Sequence, residues 1–160
     1  MLEHVMLNII FVCHGNICRS PMAEFIFKNL INQKKLAEQF EVSSYATSNE
    51  AIGEEMHPLA KKQLELHQIP FERHLGQRIN IAAYKSSDYV ICMEEYNIIN
   101  LKRYLFIRES SKISLLLDYT SDPKDLIDPW YSHDFERTFS ELSIGCDAFL
   151  NYLIKKHNLI

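Results

Sequence analysis

Glycine is scarce in this chain: there are four in 160 residues, and no Gly-x4-Gly-Lys-Ser/Thr string occurs. A nucleotide hydrolase built on that loop is therefore excluded. Cysteine is scarce too. The four that are present, Cys13, Cys18, Cys92 and Cys146, are too few and too irregularly placed for a disulfide framework, so a reducing cytoplasm is the expected compartment. Cys13 and Cys18 have a spacing that zinc sites sometimes use, but no second ligand pair follows them, and neither a metal nor a cofactor is expected. No apolar run approaches the roughly 18 residues of a membrane span. The apolar stretch up to Val12 follows Glu3 and His4 and has no small-residue cleavage site after it, which argues against a secretory signal. Positive charge is not in excess either. Lys and Arg number 17 against 21 Asp and Glu, a net charge of -4, which removes the basic footprint that nucleic acid requires. The two signs are interspersed, with no repeat and no low-complexity tract.

What is present is a hydrophobic content of 47%, enough for one globular domain spanning 1–160. Leu7-Asn8-Ile9-Ile10-Phe11-Val12 reads as a strand buried on both faces, because it is β-branched, apolar and short. Ser20-Pro21 then opens a helix, with Met22, Phe25, Ile26 and Leu30 at helical spacing and proline in its first turn. The alternation continues through a strand at Phe40–Ser44, a helix at Pro58–Gln68 and a strand at Asp88–Met93, then a helix at Glu94–Tyr104 and a strand at Ile113–Leu117. Phe135, Phe139, Leu142, Cys146, Phe149, Leu150 and Leu153 trace one stripe of a long last helix. Such alternation implies right-handed crossovers and a mostly parallel sheet covered by helices on both faces, an α/β/α arrangement. Ligands in such sheets gather at the carboxyl ends of the strands.

The loop after the first strand carries Cys13-His14-Gly15-Asn16-Ile17-Cys18-Arg19-Ser20. A cysteine and an arginine so spaced, in a loop that enters a helix N-terminus, can be aimed at one tetrahedral anion. Backbone N–H groups would point inward, with Gly15 and Asn16 expected to supply the unusual φ values of such a nest. Arg19 adds a planar fork for two phosphoryl oxygens. The same donors favour a thiolate nucleophile at Cys13, and Ser20 is placed to hydrogen-bond that sulfur. A leaving oxygen needs a proton. Asp128, in Leu126-Ile127-Asp128-Pro129-Trp130-Tyr131, is the candidate donor, in a loop stiffened by proline and made apolar by two aromatics. Asp118, Asp122 and Asp125 compete for that role, and Asp-Pro is also a common turn starter.

Phe11-Val12-Cys13-His14-Gly15-Asn16-Ile17-Cys18-Arg19-Ser20-Pro21, with Asp128-Pro129-Trp130-Tyr131 late in the chain, resembles the low-molecular-weight protein tyrosine phosphatase family. Weaker matches at Ser44–Ser48, Ile52-Gly53, Gln77 and Asp88–Met93 extend the resemblance over nearly the whole chain. It implies a four-stranded parallel sheet of flavodoxin-like topology and metal-independent hydrolysis of phosphotyrosine through a cysteinyl-phosphate. Carried over by motif, Cys13 is the nucleophile, Arg19 the phosphate clamp and Asp128 the general acid that later activates water. His14, Gly15, Asn16, Ile17, Cys18 and Ser20 would surround the phosphoryl group, Trp130 and Tyr131 would wall the aryl groove, and Ser44 and His74 would support the loop. The implied partner is a phosphotyrosine-containing protein, with a tyrosine kinase as one form of it, and phosphate is the product. The expected protein is a monomer that engages neither nucleic acid nor membrane.

Four positions depart from the family pattern: His14 stands where a hydrophobic residue is usual, Asn49-Glu50 where an aromatic is expected, Leu75-Gly76 precedes Gln77 without a basic residue, and Glu94 replaces a commoner aspartate. His14, His57, His67 and His133 have an ordinary reading as solvated or locally bonded side chains. The Cys13 and Cys18 pair suggests a reversible disulfide that would shield the nucleophile from oxidation. Two alternatives remain in view: a thiol-dependent arsenate reductase of the same fold, disfavoured because Cys92 has no partner before Cys146, and an inactive phosphotyrosine-binding module, disfavoured because Cys13 and Asp128 are both kept. Met1–Val5 reads as a short extension without a part in the chemistry.

Overall fold

The computed structural model describes residues 6–159, so the extension at Met1–Val5 lies outside them. Four strands, β1 (Leu7–Cys13), β2 (Phe40–Ala46), β3 (Tyr89–Cys92) and β4 (Ile113–Leu115), form one parallel sheet in the order β2-β1-β3-β4. The helices between and after them are α1 (Arg19–Gln33), α2 (Pro58–Leu66), α3 (Ile81–Ser86), α4 (Glu95–Leu105), α5 (Pro129–Ser132) and α6 (Phe135–His157). Among the described residues no helix is long and apolar enough to cross a membrane.

The central strand β1 shows why the first apolar run carries no polar alternation. Ile9, Phe11 and Cys13 join the core under α1 and α6, while Ile10 and Val12 join a second cluster with Ile79, Val90, Cys92 and Leu101. Both faces are covered, so both must be apolar. On the first face, Phe11, Phe27 and Phe149 meet with ring centroids 5.6, 6.4 and 5.8 Å apart, within the range where aromatic pairs add to simple burial. The α6 stripe expected from spacing is buried at all seven positions.

Among the differences from expectation, three stand out. The last strand stops at Leu115, because the Asp118 carboxylate accepts the Leu115 N–H at 3.2 Å and draws Leu116–Tyr119 into a 3₁₀ turn. Helix α3 has no extended apolar stripe to announce it, but its Asn80 cap accepts from the Ala83 N–H at 2.8 Å, a local signal sufficient for a short helix. The segment after Leu126 is a loop only as far as Asp128, where α5 begins.

The 3₁₀ turn packs against α6 at Gly145, where a Cβ would lie 2.6 Å from Leu116 Cγ and 3.2 Å from Leu117 Cδ2. Alanine in place of a helical glycine gains about 1 kcal/mol of propensity. Overpacking a rigid core costs about 1–3 kcal/mol, and both leucines are buried. Gly145→Ala should therefore lower the urea midpoint at unchanged slope; a raised midpoint would show that the leucines yield freely.

Candidate active site

Parallel pairing brings Cys13 level with Ala46 and Val12 level with Cys92 at the carboxyl end of the sheet. The chain leaves β1 at Cys13 and enters α1 at Arg19, so the intervening residues must turn tightly. The left-handed position in that turn is Asn16, at φ 60°, an angle asparagine tolerates better than most residues. Gly15, expected to share that role, does not have positive φ. A Cβ there would make only ordinary contacts with Ala51 at 3.7 Å and Ile17 at 3.8 Å.

The turn wraps the Cys13 sulfur in donors. The Asn16 N–H lies 3.3 Å from it, the Ser20 N–H 3.4 Å and the Ser20 hydroxyl 3.0 Å. Asn16, fully buried, holds this arrangement from below. Its Nδ2 donates to Ser20 Oγ at 2.8 Å and Ser44 Oγ at 3.0 Å, and its Oδ1 accepts from the Gln77 N–H at 3.1 Å and from His74 Nε2 at 3.0 Å. Because His74 Nε2 also meets the Asn16 carbonyl at 3.1 Å, both its partners are acceptors and the network assigns the proton to Nε2. Ser44 in turn donates to Glu24 at 2.7 Å, and Glu24 pairs with Lys28 at 2.7 Å. A buried carboxylate needs that compensation.

Arg19 is 1% exposed and is more constrained than a free fork. Its Nη1 donates to the Leu126 carbonyl at 2.7 Å, and its Nη2 to Glu94 at 3.1 Å and Asp128 at 3.3 Å. These three bonds leave Nε–H and one Nη1 hydrogen for an incoming anion. Burial alone would lower its pKa, but the negative charges of Cys13, Asp128 and Glu94 outweigh it and hold the guanidinium above its ordinary value. Glu94, in place of the commoner aspartate, thus still reaches the arginine.

Asp128 caps α5, accepting the Trp130 N–H at 3.0 Å through Oδ1 while Oδ2 faces Arg19. The competing aspartates are engaged elsewhere: Asp118 at Leu115, Asp125 at the Glu95 N–H at 3.0 Å, and Asp122 with Lys124 at 3.3 Å. Cys13, Arg19 and Asp128 border one cavity of about 270 Å³, together with Trp130 and Tyr131, which are 58% and 79% exposed. Aromatics so exposed are not there to fill the core. His14, Gly15, Ile17 and Cys18 also line it, whereas Asn16, Ser20, Ser44 and His74 lie behind the loop. His57 is not simply solvated: it caps α2 at the Leu59 N–H, stacks on Phe135 at 4.8 Å and meets Trp130 edge-on at 6.1 Å. Likewise, His67 stacks on Phe139 at 4.0 Å.

Sequence reasoning missed Glu24, Glu54 and Ala51. Glu24 had a signal, since it falls four residues after Ser20, on the same helix face, and interrupts an apolar stretch. The cavity lining by Glu54 and Ala51 depends on the Gly53 N–H bonding the Gly76 carbonyl at 2.8 Å, a long-range contact without a local signature.

Burial, then the negative charges of Cys13 and Asp128, push the Cys18 thiol up against the opposing pull of Arg19. Burial does the same to Cys92 and Cys146. All three should stay protonated and inert at neutral pH. Limiting iodoacetate should therefore modify Cys13 alone, as read by peptide mass mapping. Equal labelling of Cys18 would contradict this.

A three-layer α/β/α fold that carries a cysteine and an arginine on the loop between its first strand and first helix is the frame of a cysteine-dependent enzyme acting on a tetrahedral oxyanion. The chain belongs to the family described as low molecular weight phosphotyrosine protein phosphatase, whose model matches residues 8–159. It is 34% identical over 156 residues to the low molecular weight protein-tyrosine-phosphatase YfkJ of Bacillus subtilis, covering 96% of this chain and 100% of that one. It is 35% identical over 155 residues to the human low molecular weight phosphotyrosine protein phosphatase, covering 94% and 98%. The crystal structure of YfkJ superposes with a TM-score of 0.90 at 33% identity, covering 94% of this chain and 96% of that one.

Proposed function

We infer that the protein is a protein-tyrosine phosphatase that hydrolyses phosphotyrosine and small aryl phosphate monoesters through a phosphocysteine intermediate. The observation that carries this reading is that Cys13, Arg19 and Asp128 line one cavity, with the Arg19 guanidinium 3.3 Å from the Asp128 carboxylate. In the first step the Cys13 thiolate forms a bond to phosphorus, the bond to the aryl oxygen breaks, and Asp128 delivers its proton to that oxygen. In the second, the Asp128 carboxylate takes a proton from water, which attacks phosphorus and releases Cys13 and inorganic phosphate.

Two features support the assignment of roles. Two N–H groups directed at the Cys13 sulfur, with the Ser20 hydroxyl within reach to donate a third bond to a thiolate, favour negative charge on it, and the helix N-terminus favours the anion that arrives there. Asp128 faces Arg19 before substrate is bound. A phosphoryl dianion on the remaining Arg19 N–H groups supplies the negative charge that Asp128 had supplied, leaving the carboxyl free to carry a proton. Trp130 and Tyr131 offer faces to an aryl ring, which accounts for a phosphotyrosine side chain rather than a bare phosphate as substrate. A phosphotyrosine-containing protein, a tyrosine kinase among the possibilities, is then the partner.

The arsenate reductase alternative has little support: Cys92 and Cys146 are fully buried, in β3 and α6, and burial pushes both thiols up, away from the thiolate a relay needs. The test of the reading is turnover of para-nitrophenyl phosphate in excess EDTA. Release of nitrophenol with inorganic phosphate is expected, and no turnover would remove the phosphatase reading.

A further inference from the structure

The cavity's rim carries an unusual charge for an enzyme that binds a dianion. His14, immediately after the nucleophile, holds Glu50 by a single bond, Nε2 to Oε2 at 2.8 Å, across the gap between the anion loop and the turn at residues 48–54. That turn is itself fastened to His14, whose carbonyl accepts from the Ser48 N–H at 3.1 Å and the Ser48 hydroxyl at 2.9 Å. Glu50 is thereby fixed at the cavity mouth, its side chain 71% exposed and its Oε1 without a protein partner among the described residues. Glu54, from the same turn, also lines the cavity, is exposed and forms no ion pair among the described residues. By contrast, neighbouring Glu55 is already shared by Lys61 and Arg73.

Among the described residues no lysine lines the cavity, and the one arginine that does, Arg19, is tied to Leu126, Glu94 and Asp128 and keeps only Nε–H and one Nη1 hydrogen for the phosphoryl group itself. A phosphotyrosine that enters brings its own negative charge into the loop, and residues beside it must pass Glu54, which has no ion pair among the described residues, and Glu50, whose Oε1 is open while Oε2 meets His14. Acidic flanks are repelled there, and cationic flanks find partners.

We propose that Glu50, positioned by His14, and Glu54 make the enzyme selective for phosphotyrosine flanked by lysine or arginine. The inference rests on the phosphatase reading and names the substrate class of that same site. Each exposed pair is weak, so two attractions in one peptide against two repulsions in another should give about a tenfold difference in kcat/KM at low ionic strength, shrinking as salt screens it.

The test compares three short phosphotyrosine peptides, flanked by lysine, alanine or glutamate, with wild type, Glu50→Gln, Glu54→Gln and the double variant, at low and high salt. The ratio of lysine-flanked to glutamate-flanked kcat/KM is the readout, so a general loss of activity in a variant cancels. A wild-type ratio near ten that falls toward one in the double variant and at high salt would support the proposal. A wild-type ratio near one, or a ratio the double variant leaves unchanged, would overturn it. Turnover of para-nitrophenyl phosphate by the same wild-type preparation separates this failure from failure of the phosphatase reading.

Discussion

Cys13→Ser should reduce turnover of para-nitrophenyl phosphate by on the order of 10⁵-fold, the scale of loss when an essential nucleophile is removed. The reason lies in what surrounds the atom. The sulfur is met by the Asn16 and Ser20 N–H groups and the Ser20 hydroxyl. These donors can support a thiolate, but among the described residues no imidazole or carboxylate bonds the position to take a proton from a serine hydroxyl, whose acidity is far too low for the loop to ionise it. The change is nearly isosteric and leaves the loop N–H groups and Arg19 in place. Affinity for inorganic phosphate, measured by calorimetry, should therefore survive. A variant within tenfold of wild-type activity would remove Cys13 from the reaction, and a variant that loses both activity and phosphate binding would indicate a damaged loop instead.

Asp128→Asn should reveal itself through the leaving group. Asparagine can still accept the Trp130 N–H that starts α5, so the wall formed by Trp130 and Tyr131 should persist, but it cannot deliver a proton. General acid catalysis is worth about 10²–10⁴-fold. Phosphotyrosine expels a poor leaving group and should lose about 10³-fold in kcat. Para-nitrophenyl phosphate expels a stable phenolate and should lose much less. Equal losses on the two substrates would mean that Asp128 serves only to hold Arg19.

Much of this was legible before the structure because the residues involved are close in sequence or periodic. The strand ending at Val12, the proline in the first turn of α1 and the seven-residue stripe of α6 each report their own surroundings, and the sheet follows from their alternation. The site residues on the anion loop share one short segment, and their distances follow from its length. What could not be read depends on who captures whom. Asp118 taking the Leu115 N–H shortened β4, and a strand propensity in Leu116-Leu117 could not register that. Asn16 rather than Gly15 took the left-handed angle, because its side chain is locked by four partners from Ser20, Ser44, His74 and Gln77 while Gly15 has no such hold. Arg19 was readable as a cation near an anion, but its ties to Glu94 and the Leu126 carbonyl come from segments far along the chain. The acidic rim was half visible, in that Glu50 stood out as a departure, yet its partner His14 and its neighbour Glu54 meet it only in three dimensions.

The most direct test of the account is to quench the Asp128→Asn enzyme in acid during turnover of para-nitrophenyl phosphate and map the phosphoryl group by peptide mass spectrometry. The account predicts a phosphorylated Cys13 in wild type and in the variant, where loss of the base slows hydrolysis and the adduct should accumulate. No adduct on Cys13 during active turnover, or one carried by another residue, would contradict it.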